Sequence, residues 1–544
     1  MKQRTAILLI GLAGCPAERE PEDASTTAAS LAPTASGTSA EGGPSGEAGE
    51  EEDTGDKLDV AGDDSMTGAG EGGGPVETCE DAAMSESNQG CEFWAVDLPN
   101  AWAGINGSPA PQDQQFAVVV ANVASDKAAK VDVFLGASDQ PVDSAMVMTG
   151  EIHEFKLAAQ NQAARANTYG GVAYRIESDV PITAYQFNPL DNTVQVFSND
   201  ASLLFPTHVL GTDYTAITGD AILLSTDQEP NGDNSGAYVS IVATEDGTTV
   251  DLYATWGLYP GMDKGVALNR GEVFTAVSLG PMTYPGVTGD GNLSGSRIAA
   301  DKPVAVFSGN VATIEPNPGQ CCADHMEHQM LPLVAWGHEY TAAPPPGPNG
   351  AATDNPAGYR ITGAFDGTSL TYSPSTPPGA PTTIGAYQTV RFQTDQGFTV
   401  TSGDPDKPFA LTQFLLSNQA ISGFGQPGDP AMIALPAAAQ YETNYIFLVP
   451  AGYTVNYVTA IRQAGTDVTL DGVSVAAGLW KPLGSLSGVE YEYIHMEVPT
   501  GSHAIGSEVP AGIVSVGYST DVSYGYPGGS GVHTISEPPP PPAG

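Results

Sequence analysis

The sequence predicts an all-β protein made of tandem or fused antiparallel β-sandwich repeats, about four units of roughly 100 residues, and three observations carry that reading. The 65 Gly and 44 Pro disfavour helix interiors and supply tight turns. Between Cys91 and Gly529, short runs of Val, Ile, Phe, Tyr and Thr alternate with turns of Gly, Asp, Asn and Pro. Within that region, three phrases recur in a constant order. A hydrophobic content of 41% is enough for buried cores. The 18 Lys+Arg stand against 63 Asp+Glu, a formal net charge of -45, which repels nucleic-acid phosphate, so no nucleic-acid partner is expected.

Residues 1–14 read as an export signal: Lys2 and Arg4, then the apolar run through Ile7, Leu8, Leu9 and Ile10. About ten apolar residues are half of what a helix needs to cross a bilayer. The close, Leu12-Ala13-Gly14-Cys15, resembles the lipobox of bacterial lipoproteins. That resemblance implies lipidation of Cys15, anchorage to outer-membrane lipid, and, with Pro16 and Glu18 following, display at the cell outer membrane. Residues 15–90 read as a disordered acidic linker of Gly, Ser and Ala, too poor in apolar area to offset the entropy of ordering. Its acidic runs match no EF-hand loop or nonapeptide calcium repeat. Residues 530–544 read as a Pro-rich tail.

The folded region, 91–529, divides by its phrases into repeats at about 91–205, 206–330, 331–434 and 435–529. The first phrase reads as a hairpin: 116–122 with 130–135, then 237–242 with 249–253, 358–361 with 369–372, and 453–458 with 467–470. The second is a turn with proline followed by a buried strand, with prolines at Pro181, Pro303, Pro408 and Pro510, in steps of 122, 105 and 102 residues. The third runs from Phe205-Pro206 to Tyr214, from Leu331-Pro332 to Tyr340, and more loosely from Leu435-Pro436 to Tyr445. Period alone leaves open whether the sandwiches form a line or a propeller-like ring.

The words Ser178-Asp179-x-Pro181-Ile182-x-Ala184-Tyr185-Gln186-Phe187-Asn188, Pro206-Thr207 to Gly211-x-Asp213-Tyr214, Cys321-Cys322-Ala323-Asp324-His325-x-Glu327-x-Gln329, and Ser523-Tyr524-Gly525-Tyr526-Pro527-Gly528-Gly529 together resemble the N-terminal domain of the IgGFc-binding protein family. The resemblance extends over the whole folded region. It implies a surface or secreted protein; antibody binding is not carried over, because the mucin-like repeats that follow this domain in animals are missing.

With Cys15 given to lipid, Cys79, Cys91, Cys321 and Cys322 remain as disulfide candidates, which three pairings satisfy. Cys79–Cys91 with a vicinal Cys321–Cys322 is one; a Cys91 bond to one of the later pair is another. Asp324-His325-x-Glu327-His328 has the residue types of a zinc site, but histidines three apart do not match His-Glu-x-x-His. It reads instead as a disulfide-braced surface loop around a short helical turn, so no metal, cofactor or catalytic residue is expected. There is no Gly-x-Ser-x-Gly elbow and no Walker loop. Tyr185, Tyr214, Trp256, Tyr259, Trp336, Tyr340, Trp480, Tyr491 and Tyr493 are expected mainly in cores, with a minority free to stack on carbohydrate. The sequence therefore predicts a non-catalytic, lipid-anchored binding or adhesion protein for an extracellular protein or carbohydrate. A structural envelope lipoprotein is the second reading, and an exported glycan-acting enzyme the third.

Overall fold

The computed structural model describes residues 76–101, 110–124, 126–160, 168–190, 198–222, 236–259, 261–279, 290–316, 323–423 and 426–537. Cys15, Cys321 and Cys322, the signal, residues 15–75 of the linker and 538–544 of the tail lie outside the described residues.

Every strand ladder is antiparallel, and one topology occurs four times. In the first unit, Tyr174–Asn188 is a 15-residue strand that belongs to two sheets. Its first part pairs with Gly90–Ala95 and Ala129–Leu135, and Pro141–Val147 extends that sheet. Its second part pairs with Phe116–Asn122 and Asp200–Leu204, and Ile152–Leu157 extends the other sheet. The crossing point is Ser178-Asp179-Val180-Pro181, so the proline lies where the chain leaves one sheet for the other. Proline suits that place because it has no N–H to give to a ladder.

The second and third units break the crossing strand at their prolines. Arg297–Ala300 and Val304–Thr313 flank Pro303, and Phe398–Ser402 and Phe409–Phe414 flank Pro408. The fourth keeps it whole as Gly501–Ser519. In the third unit Tyr340, Leu370 and Val400 from one sheet share a core with Tyr359, Leu411 and Ile433 from the other, which is face-to-face packing of two sheets.

The paired runs that read as hairpins are not hairpins. Phe116–Asn122 and Ala129–Leu135 lie in opposite sheets, and so do Ala237–Ala243 and Thr248–Tyr253, Ala357–Gly363 and Thr368–Ser373, and Val455–Gln463 and Val468–Leu470. The short turn between them crosses the sandwich. Burial shows the difference: the first member of the first three pairs is buried at every position, whereas Thr368–Ser373 alternates buried and exposed. In each of the first three units one sheet has a central strand covered on both faces, whereas the first strand on the far side of the crossing has a wet face.

A turn of 3-10 helix ends each of the first three units, at Thr207–Val209, Leu333–Ala335 and Ala438–Gln440. The strand that follows carries a tyrosine whose hydroxyl accepts from a peptide N–H three residues earlier and donates to the crossing strand. Tyr214 joins Gly211 to Val304, Tyr340 joins Gly337 to Phe409, and Tyr445 joins Glu442 to Ala511.

The last strands of the units adjoin one another: Asp324–Gln329 contacts Asp200–Leu204 and Met432–Leu435, and Val522–Pro527 contacts the same two. Thr168–Val172, from the first unit's long connection, pairs with Glu272–Val277 of the second.

The expectation of an unstructured linker up to Gly90 is corrected near its end. Cys79–Ser85 is a helix with a capping box, Thr78 and Asp81 bonding each other's backbone N–H. A disulfide joins Cys79 to Cys91, with Cα atoms 5.6 Å apart. The start of the tail is also packed: Ser530 and Asn88 exchange backbone and side-chain hydrogen bonds at 3.0 Å, and Ile535 donates its N–H to Val334.

Candidate functional site

The segment with the richest chemistry, Asp324–Gln329, is a strand with every residue buried, not a surface loop around a helical turn. It is covered because last strands of neighbouring units lie on both sides of it. Strand alternation sends His325, Glu327 and Gln329 to one face and Asp324, Met326 and His328 to the other. Among the described residues no three His, Cys, Asp or Glu side chains converge as metal ligands.

On the first face, Glu327 Oε1 accepts from Gln186 Nε2 at 3.1 Å, and Glu327 Oε2 lies 3.3 Å from His325 Nε2. Burial, reinforced by the Asp200 charge, pushes the Glu327 carboxyl well up. Burial pulls His325 down to about 3 and His328 down to about 4. His328 Nδ1 is 2.8 Å from the Gln329 carbonyl. Gln329 accepts from the Phe205 N–H, and Asp200 accepts from the N–H groups of Ala201 and Glu327. This network joins units and is closed to a substrate. Sequence reasoning missed Asp200, Gln186 and Asn199, which come from the first unit; each is an ordinary polar residue until the last strands are brought together.

Two grooves formed by described residues are open to solvent. One, of about 710 Å³, lies between the first and second units, with Glu92, Thr207, His208, Asp246 and Arg270 in its wall beside Leu210 and Pro303. Arg270 bonds Glu92 at 2.9 Å there. The other, of about 510 Å³, follows the wet sheet of the second unit from Leu252 to Lys264. Tyr253 and Trp256 stand half-exposed in it, Trp256 Nε1 donates to the Leu279 carbonyl at 2.8 Å, and Lys264 lies over the Tyr253 ring. Of the other aromatic residues singled out, Tyr185, Tyr214, Tyr259, Trp336, Tyr340, Tyr491 and Tyr493 are buried. Trp480 is half-exposed beneath the Arg462 guanidinium.

Fold and surfaces together define a protein of repeated, all-antiparallel two-sheet units, with its ionisable cluster sealed inside and its concavities outside. Residues 200–517, more than half of the chain, match the family described as IgGFc binding protein, and the chain belongs to that family. It is 24% identical over 382 residues to the human (Homo sapiens) IgGFc-binding protein; the match takes in 67% of this chain and 6% of that much longer relative. Among solved structures, an anti-sigma factor domain-containing protein from Clostridium clariflavum aligns with 72% of this chain and 96% of its own at 8% identity, with a TM-score of 0.11 that relates no folds.

Proposed function

We propose that this chain is a surface-displayed, non-catalytic binding or adhesion protein, held to outer-membrane lipid through Cys15, whose four sandwich units close into a ring and recognise an extracellular glycan. The observation that carries it is the groove of Tyr253 and Trp256, where a half-exposed indole, held by its bond to Leu279, offers a flat apolar face beside polar groups. That combination suits the face of a neutral sugar ring. The sealing of Asp324, His325, Glu327 and His328 favours binding over catalysis, since a general acid must reach its substrate. The signal limit at 14 belongs to the same reading, as does export past the inner membrane. Binding to the Fc part of antibodies, named in the human relative, is not adopted for a chain that spans 6% of that protein.

A glycan array probed with the full chain and with Trp256→Ala tests the ligand. Loss of a stacked indole should weaken binding about tenfold, by ~1–2 kcal/mol, at a temperature where the variant, with a somewhat lowered Tm from the lost Leu279 bond and core contact, is still folded. Equal binding by both proteins removes the groove from the proposal, and turnover of any glycan restores the enzyme reading. Mass spectrometry of the mature protein tests the anchor: an acylated N-terminal Cys15 is expected, and a mature chain without acyl mass removes it.

A further inference from the structure

Each unit's last strand starts at or near an aspartate: Asp200, Asp324, Asp429 and Asp521. The first three are buried, and they differ in what satisfies them. Asp200 has its peptide donors. Asp324 Oδ1 accepts from the N–H groups of Asn199 and His325, each at 2.8 Å, but Asp324 Oδ2 meets no donor. Neither carboxyl oxygen of Asp429 meets one. The amide oxygens of buried Asn199 and Asn418 are likewise without a donor.

These orphaned atoms are connected. Asn199 bonds Asp324 through its backbone; the strand that Asp324 opens lies against Met432–Leu435, which begins three residues after Asp429; the Asp429 N–H donates to Ser523, two residues beyond Asp521, which accepts from Asn418 Nδ2. Among the described residues no lysine or arginine bonds either Asp324 or Asp429. Two buried carboxyls without a counter-charge cost several kcal/mol if ionised. Every orphan in the group is an oxygen acceptor, so the missing partner is a donor or a cation.

We propose that Asp324 and Asp429 bind one hard divalent cation, calcium by ligand chemistry, with the amide oxygens of Asn199 and Asn418 beside them. Calcium takes six to eight oxygens in flexible geometry, which suits a set drawn from separate strands, whereas magnesium demands a stricter octahedron and gives up water reluctantly. Zinc is disfavoured, since His325 and Glu327 point to the opposite face of their strand. With two carboxylates in the site, amide oxygens are required to complete it, consistent with no three acidic or imidazole groups converging among the described residues. The ion ties strands of different units, so the site is independent of the glycan groove.

The test uses the full chain, stripped with EDTA, desalted, and supplied with Ca²⁺ or Mg²⁺. Wild type should retain one Ca²⁺ per chain through a second desalting, and its Tm should rise by roughly 3 °C or more over EDTA, with Mg²⁺ less effective. Asp429→Asn should retain none. Because acidic residues elsewhere hold calcium weakly, the retained difference between wild type and variant is the reading that counts. Identical Tm values for wild type in EDTA, Ca²⁺ and Mg²⁺ would overturn the proposal. So would equal retention by Asp429→Asn, or a Tm raised by Asp429→Asn at neutral pH without calcium dependence, the signature of a shared proton. If Asp429→Asn does not fold, the wild-type retention and Tm measurements decide.

Discussion

Single hydroxyls and carboxyls hold places here where the backbone has no other partner. Tyr340 bridges the Gly337 N–H at 3.2 Å and the Phe409 carbonyl at 2.6 Å, both in the interior. Tyr340→Phe keeps the ring and strands both groups, so a loss of about 1–3 kcal/mol is expected in urea unfolding, with an unchanged m-value. Glu442 provides a pH-dependent case. Burial pushes its carboxyl up to about 7, so the folded state holds the proton more tightly than the unfolded chain. The stability it contributes is full below the unfolded carboxyl range and is lost as pH rises through about 7. Glu442→Gln cannot ionise, so its stability advantage over wild type should grow between pH 5 and pH 8, by up to about 3 kcal/mol. A constant difference between the two proteins across that range would show that the carboxyl is solvated.

Among the elements, the turn that ends one unit is also the seat of that unit's entrance. A Cβ at Gly90, Gly211 or Gly337 would come within 2.3, 2.7 or 2.4 Å of Pro206, Pro332 or Ala437. The recurring glycine in the third phrase is therefore required by close approach, since its neighbour is itself held by the 3-10 turn. Gly337→Ala should destabilise by about 1–3 kcal/mol, read as a lowered midpoint in denaturant. The same substitution at exposed Gly478, where nothing lies within 4 Å, should leave the midpoint nearly unchanged.

For the molecule as a whole, stability depends on how the units are joined. Arg360 of the third unit is 2% exposed and bonds Glu315, which follows the second unit's crossing strand, at 2.6 Å. Removing the guanidinium leaves a buried carboxylate beside an unfilled space, so Arg360→Ala should cost about 3–5 kcal/mol. Separate unfolding transitions in calorimetry should appear once this junction fails, where wild type shows one. Asp354, in an excursion of the third unit, reaches Lys481 at 2.8 Å and His495 at 3.0 Å in the fourth. Burial raises its carboxyl, but the bonds to His495 and Lys481 outweigh that and hold it at about 2. Its contribution is present above the unfolded carboxyl range and fades as pH falls toward about 2.

Much of this arrangement can be read from residue order. Alternation in Lys130-Val131-Asp132-Val133 marks a strand with a wet face, and unbroken apolar runs such as Val118-Val119-Val120 mark strands covered on both sides. The proline phrases mark the crossing strands because a residue without an N–H falls where ladder bonding changes sheets. The helix cap at Thr78-Cys79-Glu80-Asp81 was passed over, because the acidic, apolar-poor composition up to Gly90 reads as a disordered linker. Pairing was not legible: strands adjacent in sequence, such as 116–122 and 129–135, went to opposite sheets, since partners are chosen by which apolar faces meet. Nor was the burial of Asp324, His325, Glu327 and His328, whose composition reads as solvent-facing. Short-range order is encoded in side-chain periodicity and turn residues. The interior cluster exists because strands more than a hundred residues apart cover one another, and no local pattern records that contact.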